Sequence, residues 1–252
     1  MGKIISIANQ KGGVGKSTTA INLSACLAEK GKRVLTIDMD PQGNTTSGLG
    51  VDKNDIDITL YHLIMGDNEV SDAVININEN LDLIPSNVDL SGAEVEILEM
   101  EDKEFILRGI TDKVSDSYDY IILDCPPSLS ILTINALCAS DSVIVPIQCE
   151  YYALEGLSQL INTINLIKDR LNDKLEIEGI LFTMFDVRNK LSQQVVENVK
   201  SNLDQKIYNT IIPRNVRLAE APSYGLPIIE YDNKSAGAEG YRQLAEEVIQ
   251  EE

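Results

Sequence analysis

Glycines and lysines near the start of the chain have the spacing of a loop that binds phosphate. Residues 9–17 read NQKGGVGKS, and their end matches the second half of the motif G-x-x-x-x-G-K-[ST]. Gln10 stands where that motif has its first glycine. Residues without a Cβ let backbone N–H groups turn inward and approach phosphate oxygens. Here that freedom comes from Gly12, Gly13 and Gly15.

Two side chains that follow these glycines have defined chemistry in such a loop. We expect Lys16 to reach the β- and γ-phosphates of a nucleotide and the Ser17 hydroxyl to bind Mg²⁺. Lys11 is unusual, because it lies five residues before Lys16 on the far side of the loop. From there it is poorly placed for its own nucleotide, but it could reach one in a facing subunit. It would then neutralise transition-state charge as an arginine finger does.

The elements around the loop are those that this motif requires. Residues 3–8 form a β-rich run, residues 18–30 have apolar positions at helical spacing, and Gly31 follows as a C-terminal cap. Residues 33–38 predict the next strand. A strand, loop, helix and strand in this order form the building block of a parallel sheet.

The rest of the chain continues the alternation of strands and helices. Several strands, such as residues 120–123, are almost continuously apolar, as strands covered on both faces are. We therefore expect α/β architecture, with a single doubly wound, mostly parallel sheet, helices on both faces and one domain over residues 1–252. Further strands are predicted at 81–84, 120–124, 142–146 and 180–184, and further helices at 92–98, 104–115, 154–171, 192–203 and 237–250.

Carboxylates end two of these strands, where ligands of α/β sheets bind. Asp124 follows an apolar strand, so it fits a carboxylate that holds Mg²⁺, in our prediction through water. Asp38 ends the second strand and is expected to contact the ligands of the metal rather than the metal itself. Asp40 lies just beyond that strand. The alternative for each is a solvated acid at the end of a strand.

The motifs together resemble a known family. Residues 11–18 resemble the deviant Walker A motif of the ParA/MinD family of P-loop ATPases. Four further segments resemble blocks of the chromosomal, Soj-type ParA proteins: residues 38–43, 121–127, 150–156 and 213–222. The resemblance covers nearly the whole chain. The resemblance implies a P-loop NTPase fold and a DNA partition ATPase that uses ATP with Mg²⁺. The GTPase motif N-K-x-D is absent from the sequence, which agrees with ATP.

The resemblance also implies roles for individual residues. Asp40 matches the carboxylate that positions or activates the attacking water, so the predicted catalytic residues are Lys11, Lys16 and Asp40. Pro213 and Asn215 match positions that border the adenine. The nucleotide-binding residues of the loop are Lys11, Gly12, Gly13, Val14, Gly15, Lys16, Ser17 and Thr18.

The charge of the chain bears on a DNA ligand. The formal net charge is -19, which by itself disfavours nucleic acid. The excess is concentrated in residues 50–105, which carry fifteen acidic side chains and two lysines, whereas residues 186–234 carry six acidic and seven basic ones. Arg188 and Arg217 lie in this near-neutral segment and match arginines that bind DNA without sequence preference in the family. The alternative is that both are ordinary solvated cations.

Partners and location follow from the same resemblance. It implies an ATP-dependent homodimer, non-specific DNA and a ParB-like centromere-binding protein whose basic segment stimulates hydrolysis. The acidic surface of residues 50–105 would suit that segment. We expect a cytoplasmic, nucleoid-associated protein without a membrane partner, since Lys11 and Lys16 interrupt any signal-like apolar run.

Three rival interpretations need features that the sequence does not show. A MinD-like, membrane-associated division regulator needs a basic amphipathic C-terminal helix, whereas residues 246–252 carry four glutamates. An iron–sulfur P-loop enzyme needs paired cluster-ligating cysteines, but Cys125 and Cys138 have the setting of packing residues, and all four cysteines are expected to be reduced. A plasmid partition repressor needs an N-terminal helix-turn-helix ahead of the first strand.

Overall fold

One eight-stranded sheet organises the residues described by this computed structural model, which are 2–150 and 153–250. The spatial order of the strands is β3-β4-β2-β5-β1-β6-β7-β8, and every neighbouring pair is parallel except β3–β4, which is antiparallel at one edge. This order confirms the predicted doubly wound, mostly parallel sheet. The strands are β1 Lys3–Ile7, β2 Val34–Asp38, β3 Ile75–Asn78, β4 Leu81–Ile84, β5 Tyr120–Asp124, β6 Ser142–Gln148, β7 Glu176–Phe185 and β8 Ile207–Pro213.

Helices connect the strands and cover both faces of the sheet. The helices of the described part of the chain are α1 Lys16–Glu29, α2 Asn44–Gly48, α3 Leu60–Met65, α4 Val70–Ala73, α5 Leu90–Glu96, α6 Ile106–Asp112, α7 Ile131–Ala139, α8 Ala153–Arg170, α9 Lys190–Asn202, α10 Val216–Glu220, α11 Ile228–Tyr231 and α12 Ala236–Gln250. None of them is long and apolar enough to cross a membrane.

The sheet separates two apolar cores. Alternate strand residues enter opposite cores, as Ile4 and Ile5 of β1 do, because successive side chains of a strand point to opposite faces. One core packs α3, α5, α6, α7, α8 and α9 against the sheet, and the other packs α1, α11 and α12. Strand β5 is buried along its whole length, which explains its unbroken apolar sequence.

The predicted strands are all present, but the sequence reasoning missed β3 and β8. Both lie at the edges of the sheet and carry polar residues at exposed positions, as the sequences ININ and IYNTIIP show. Edge strands bury less of their surface, so their apolar pattern is weaker. The predicted helix over 104–115 ends at Asp112 and is followed by a 3₁₀ turn, and α1 begins two residues earlier than predicted, at Lys16.

The topology brings three chain segments together at the carboxyl ends of the central strands. Strand β1 lies between β5 and β6, and β5 lies between β1 and β2. The register pairs Asp124 with both Ile7 and Asp38 across the neighbouring strands. The loop after β1 and the carboxylates that end β2 and β5 therefore meet at one place, in the crevice where α/β sheets bind ligands.

Candidate active site

The loop between β1 and α1 has the backbone of an anion cradle. Gly13 and Gly15 adopt φ values of 75° and 90°, which side chains other than that of glycine rarely accept. Gly15 precedes α1 directly, and within the described residues no side chain caps this helix and no acid stands in its first turn. Its first amide groups are thus free to donate to an anion, and the helix dipole favours a negative charge there.

A cavity of about 590 Å³ opens on this loop. Among the predicted nucleotide-binding residues, the three glycines and the first residues of α1 line this cavity. Asp40 lines it as well. Its further lining comes from the loop after β2 and from the ends of other strands. The lining residues include Gly12, Gly13, Gly15, Lys16, Ser17, Thr18, Asp40, Gln42, Lys53 and Met184.

Lys16 is a buried cation at the floor of the site. Its Nζ donates to the carbonyl oxygen of Lys11 across the loop, at 3.1 Å. Burial lowers the pKa of Lys16, and the negative charges of Asp124 and Asp40 act in the opposite direction. A nucleotide phosphate would provide the charge partner that the buried ammonium group lacks within the loop.

Val14 and Lys11 lie on the other side of the loop. The Val14 side chain is buried, and the Val14 backbone carbonyl accepts a 2.8 Å hydrogen bond from Thr183 Oγ1. The backbone N–H of Val14 is therefore the group that a ligand could use. Lys11 borders a separate small cavity, and its Nζ forms a 2.8 Å ion pair with Glu150 Oε2. The Lys11 ammonium group is therefore directed away from the phosphate cavity of its own subunit.

Asp124 and Asp38 form a buried pair of carboxylates at the base of the cavity. Burial raises the pKa of Asp124 to about 7, with the charge of Asp38 adding to the effect and the hydroxyls of Thr45 and Ser17 opposing it. Burial likewise raises the pKa of Asp38 to about 6. Thr46 opposes that rise, since its N–H and Oγ1 each donate to Asp38 Oδ2 at 2.8 Å.

The oxygen atoms of this pair fit a divalent cation that arrives with a nucleotide. Asp124 Oδ2 accepts from Thr45 Oγ1 at 2.7 Å, whereas Oδ1 is buried without a hydrogen-bond partner in the described structure. No cluster of three or more His, Cys, Asp or Glu side chains among the described residues could hold a metal ion alone. Mg²⁺ normally takes one or two protein ligands and completes its shell with phosphates and water, which suits Ser17 and Asp124.

Asp40 is held in a tight turn at the cavity wall. Its N–H donates to Asp38 Oδ1 at 3.1 Å, and its own Oδ1 accepts from the N–H of Gln42 at 2.9 Å. Its carbonyl oxygen accepts from Ser86 Oγ at 3.0 Å. Lys53 Nζ donates to the carbonyl oxygen of Gln42 at 2.5 Å, which holds the same turn from the solvent side. These contacts fix a carboxylate beside the phosphate loop.

A second cavity, of about 330 Å³, adjoins the first and is mostly apolar. Pro213 and Asn215, the two residues predicted to border an adenine, both line it, together with the buried Tyr241. Gly15, Thr18 and Met184 border both cavities. Met184 has a φ of 51°, and such values in residues other than glycine concentrate at functional sites. One nucleotide could place its phosphates in the first cavity and its base in the second.

Comparison with known proteins agrees with this geometry. A family model described as an AAA domain matches residues 2–177. The chain is 57% identical over 249 residues to the sporulation initiation inhibitor protein Soj of Bacillus subtilis (strain 168), covering 98% of each protein. It is 52% identical over 250 residues to the chromosome partitioning protein ParA of Myxococcus xanthus (strain DK1622), covering 99% of this chain and 88% of that protein.

The chain belongs to the ParA/Soj family of P-loop ATPases. Among solved structures, it is similar to a cobyrinic acid a,c-diamide synthase from Mycobacterium smegmatis with bound ADP and magnesium. The TM-score is 0.87, the identity is 36%, and the match covers 98% of this chain and 93% of the other. The fold is thus shared with a protein that is not named as a partition protein.

The two arginines predicted to bind DNA lie outside both cavities. Arg188 follows β7, is 86% exposed in its side chain, and donates to both carboxylate oxygens of Asp186 at 3.0 Å. Arg217, on α10 of this ParA/Soj chain, pairs with Glu220 at 2.8 Å and with Asp232 at 3.5 Å. Both guanidinium groups are therefore accessible but are already paired with carboxylates.

Several residues that shape the site were not found from the sequence. Thr45 and Thr46 hold the two buried carboxylates, Ser86 holds the Asp40 turn, and Thr183 supports the phosphate loop. Ser86 follows β4 closely and Thr183 lies near the end of β7. The rule that singled out Asp124, a polar residue at the carboxyl end of a parallel strand, would have found both.

Asp124→Asn should stabilise the nucleotide-free protein at alkaline pH. The folded-state pKa near 7 lies above the ordinary value of 3.8, so the wild type loses stability as the pH rises through this interval. The variant carries no such charge. In thermal unfolding with a chelator, we expect the Tm difference, variant minus wild type, to be larger at pH 8 than at pH 5 by about 5–10 °C.

The same variant provides its own control when nucleotide is added. Mg²⁺ with ATP should raise the Tm of the wild type more than that of Asp124→Asn, because the cation loses an anionic partner. An equal Tm difference at both pH values in the chelated state would contradict the assigned buried charge.

Proposed function

We propose that this chain is a partition ATPase whose ATP-bound form pairs with a second copy and binds DNA without sequence preference. Hydrolysis, stimulated by a ParB-like partner, then releases the DNA. The observation that carries the proposal is the position of Lys11. It belongs to the phosphate loop, yet its ammonium group is directed away from the phosphate cavity of its own subunit. The names of the Soj and ParA relatives support the partition role.

Nucleotide binding follows from the cavity and its donors. The amide groups of the glycine loop and of the first turn of α1 would hold the phosphates, and Lys16 would neutralise them. Ser17 and Asp124 would hold Mg²⁺, Asp124 through water, with Asp38 supporting the pair from behind. When bound, Mg²⁺ would neutralise negative charge on the phosphates. The apolar second cavity would take the adenine.

Asp40 is the residue best placed to orient the attacking water. It lies on the cavity wall, and its turn is fixed by Asp38, Gln42 and Ser86. In phosphoryl transfer most of the catalysis comes from positioning and charge stabilisation, so a fixed carboxylate is sufficient for this role. Lys53 is a second cation in the lining of this cavity, but its Nζ donates to the carbonyl oxygen of Gln42, so we expect slow intrinsic turnover until a further cation reaches the phosphates.

In the proposed dimer, Lys11 of each subunit enters the phosphate site of the other. The ion pair with Glu150 must open for this to happen, and exposed ion pairs open at little cost because water screens them. ATP binding would thus be coupled to pairing, since the phosphates of one subunit attract the lysine of the other.

DNA binding would use Arg188 and Arg217, which exchange carboxylate partners for phosphates. Pairing doubles the number of arginines on one particle, so the dimer gains avidity that the monomer lacks. A dimer with this affinity would associate with the nucleoid. The DNA would be bound by backbone contacts, which carry no sequence information.

The membrane alternative finds no support in the last helix. The apolar residues of α12 are buried against α1 and β8, including Tyr241, Leu244 and Val248. A helix that binds lipid needs this face exposed. The iron–sulfur alternative is also disfavoured, because the four cysteines are buried and free and belong to no group of described residues that could hold a metal ion.

Asp40→Ala and Lys11→Gln should each bind ATP and fail to hydrolyse it. Asp40→Ala removes the carboxylate that orients water, and we expect about a hundredfold loss of kcat. Lys11→Gln removes the cation supplied in trans, and we expect at least a comparable loss. Phosphate release measures turnover, and fluorescent ATP binding measures affinity. The exposed Asp57→Ala and Lys174→Gln serve as matched controls. Unimpaired turnover in either site variant would refute the corresponding role.

Gly12→Val should bind ATP as a monomer. A Cβ at Gly12 would meet only Pro127 Cβ within 4 Å, at 4.0 Å, so the subunit itself leaves room for the first side-chain atom. It would project into the surface that faces the partner in the proposed dimer. Sedimentation velocity with a non-hydrolysable ATP analogue should show a dimer for the wild type and a monomer for the variant. A Gly12→Val dimer of wild-type affinity would contradict this arrangement.

DNA affinity should respond in opposite directions to two substitutions. Arg217→Ala removes one phosphate contact per subunit. The negative slope of log K against log salt should therefore become shallower by about 2 for the dimer. Asp186→Asn removes the carboxylate that competes for Arg188 and should raise affinity at low salt several-fold. Anisotropy of labelled duplex DNA measures both, with Arg170→Ala on α8 as the control. No change in either variant would leave the arginines without a role in binding.

A further inference from the structure

Helix α5 and the turns that flank it expose an apolar stripe. Val88 lies in the turn before α5 and is 72% exposed, Val95 is 68% exposed, and Leu98 in the following 3₁₀ turn is 55% exposed. Spacings of seven and three residues place side chains on one side of a helix. The opposite side is fully buried, through Leu90, Ala93 and Ile97. We call the three exposed residues the α5 stripe.

Acidic residues border this stripe. Asp89, Glu96 and Glu99 each follow a stripe residue directly, and so lie along one flank of it, while Glu94 lies on the other. No lysine or arginine within residues 2–150 and 153–250 forms an ion pair with any of these four. The arginines Arg33, Arg188, Arg217 and Arg242, by contrast, are all paired with acids.

Exposed apolar side chains and crowded like charges both cost free energy in water. A ligand that relieves both must bring its own apolar stripe with cations beside it, which describes a basic amphipathic helix. We infer that the α5 stripe is the docking surface for a basic amphipathic helix of a partner protein. Charge complementarity decides for this occupant over a second copy of the chain, whose own stripe carries the same negative charge.

The position of the stripe connects it to the site of hydrolysis. Val88 is two residues after Ser86, whose Oγ donates to the carbonyl oxygen of Asp40 at 3.0 Å. The N–H of Ser86 donates to Thr46 Oγ1 at 2.9 Å, and Thr46 holds Asp38. A helix that packs on Val88 would therefore act on the turn that carries Asp40. This second half of the inference rests on the proposed function, whereas docking itself does not.

A synthetic peptide tests the surface directly. The probe is an 18-residue, fluorescein-labelled helix with leucines at i, i+3, i+4 and i+7 and lysines elsewhere, and its control has the same composition in scrambled order. Anisotropy gives the Kd for the full-length protein, and phosphate release gives turnover with and without the peptide. The variants are Val95→Ser with Leu98→Ser, which removes the apolar part, and Glu96→Lys with Glu99→Lys, which reverses the charge.

The matched control changes an equivalent surface elsewhere. Leu166 on α8 is 54% exposed, and Asp169 lies one turn further along the same helix, so Leu166→Ser with Asp169→Lys repeats both kinds of change away from α5. We expect each α5 double variant to weaken peptide binding about tenfold or more, and the α8 variant to leave it within about twofold. Basal ATP hydrolysis should remain unchanged in all three.

The outcomes separate the parts of the inference. Docking is overturned if the wild type does not bind the helical peptide, if the scrambled peptide binds equally, or if the α8 variant weakens binding as much as the α5 variants. Self-association that Val95→Ser with Leu98→Ser abolishes would assign the stripe to a second copy instead. Peptide binding at α5 without a change in turnover would overturn the connection to Asp40 alone. Absence of ATP hydrolysis in the peptide-free wild type would refute the proposed function and leave docking unaffected.

Discussion

Two carboxylates, Asp38 and Asp124, are buried side by side at the ends of adjacent strands, and the site depends on how the chain accommodates them. Their pKa values rise because water cannot reach them. The surrounding groups are the donors that such a pair needs. Thr45 and Thr46 supply hydroxyls, and Lys16 lies near enough for its charge to interact with Asp124. Among the described residues no cluster of three or more acidic, His or Cys side chains could hold a metal ion alone, so in the proposed function the cation arrives with its nucleotide.

The same pair links catalysis to more distant parts of the fold. Asp38 accepts from the N–H of Asp40 on one oxygen and from Thr46 on the other, and both segments contact Ser86 at the end of β4. Any change in the carboxylate pair, such as arrival of Mg²⁺, therefore bears on the Asp40 turn. Because α5 begins four residues after Ser86, a surface helix shares this network with the buried carboxylate pair.

The sequence predicted the parts of the site that follow from backbone rules. Glycines with positive φ, a helix N-terminus and acids at the ends of apolar strands could be identified because each has a local signature. The edge strand β8 was missed, since its half-buried pattern resembles that of a loop. The pairing of Arg188 with Asp186, and the Lys53 contact to the Asp40 turn, could not be predicted, because side-chain partners depend on tertiary geometry rather than on spacing.

The acidity of the protein is compatible with anionic ligands for a reason visible in the ion pairs. Lys11, Arg188 and Arg217 are the cations proposed to meet phosphates of another molecule, and each is paired with a carboxylate of its own chain that is at least partly exposed. Exposed pairs contribute little net stability, so a phosphate group can replace the carboxylate. The competing carboxylate nevertheless lowers the affinity for that phosphate. In the proposed function, binding would be weak for one subunit and sufficient only when ATP brings two subunits together, as a reversible DNA-binding ATPase requires.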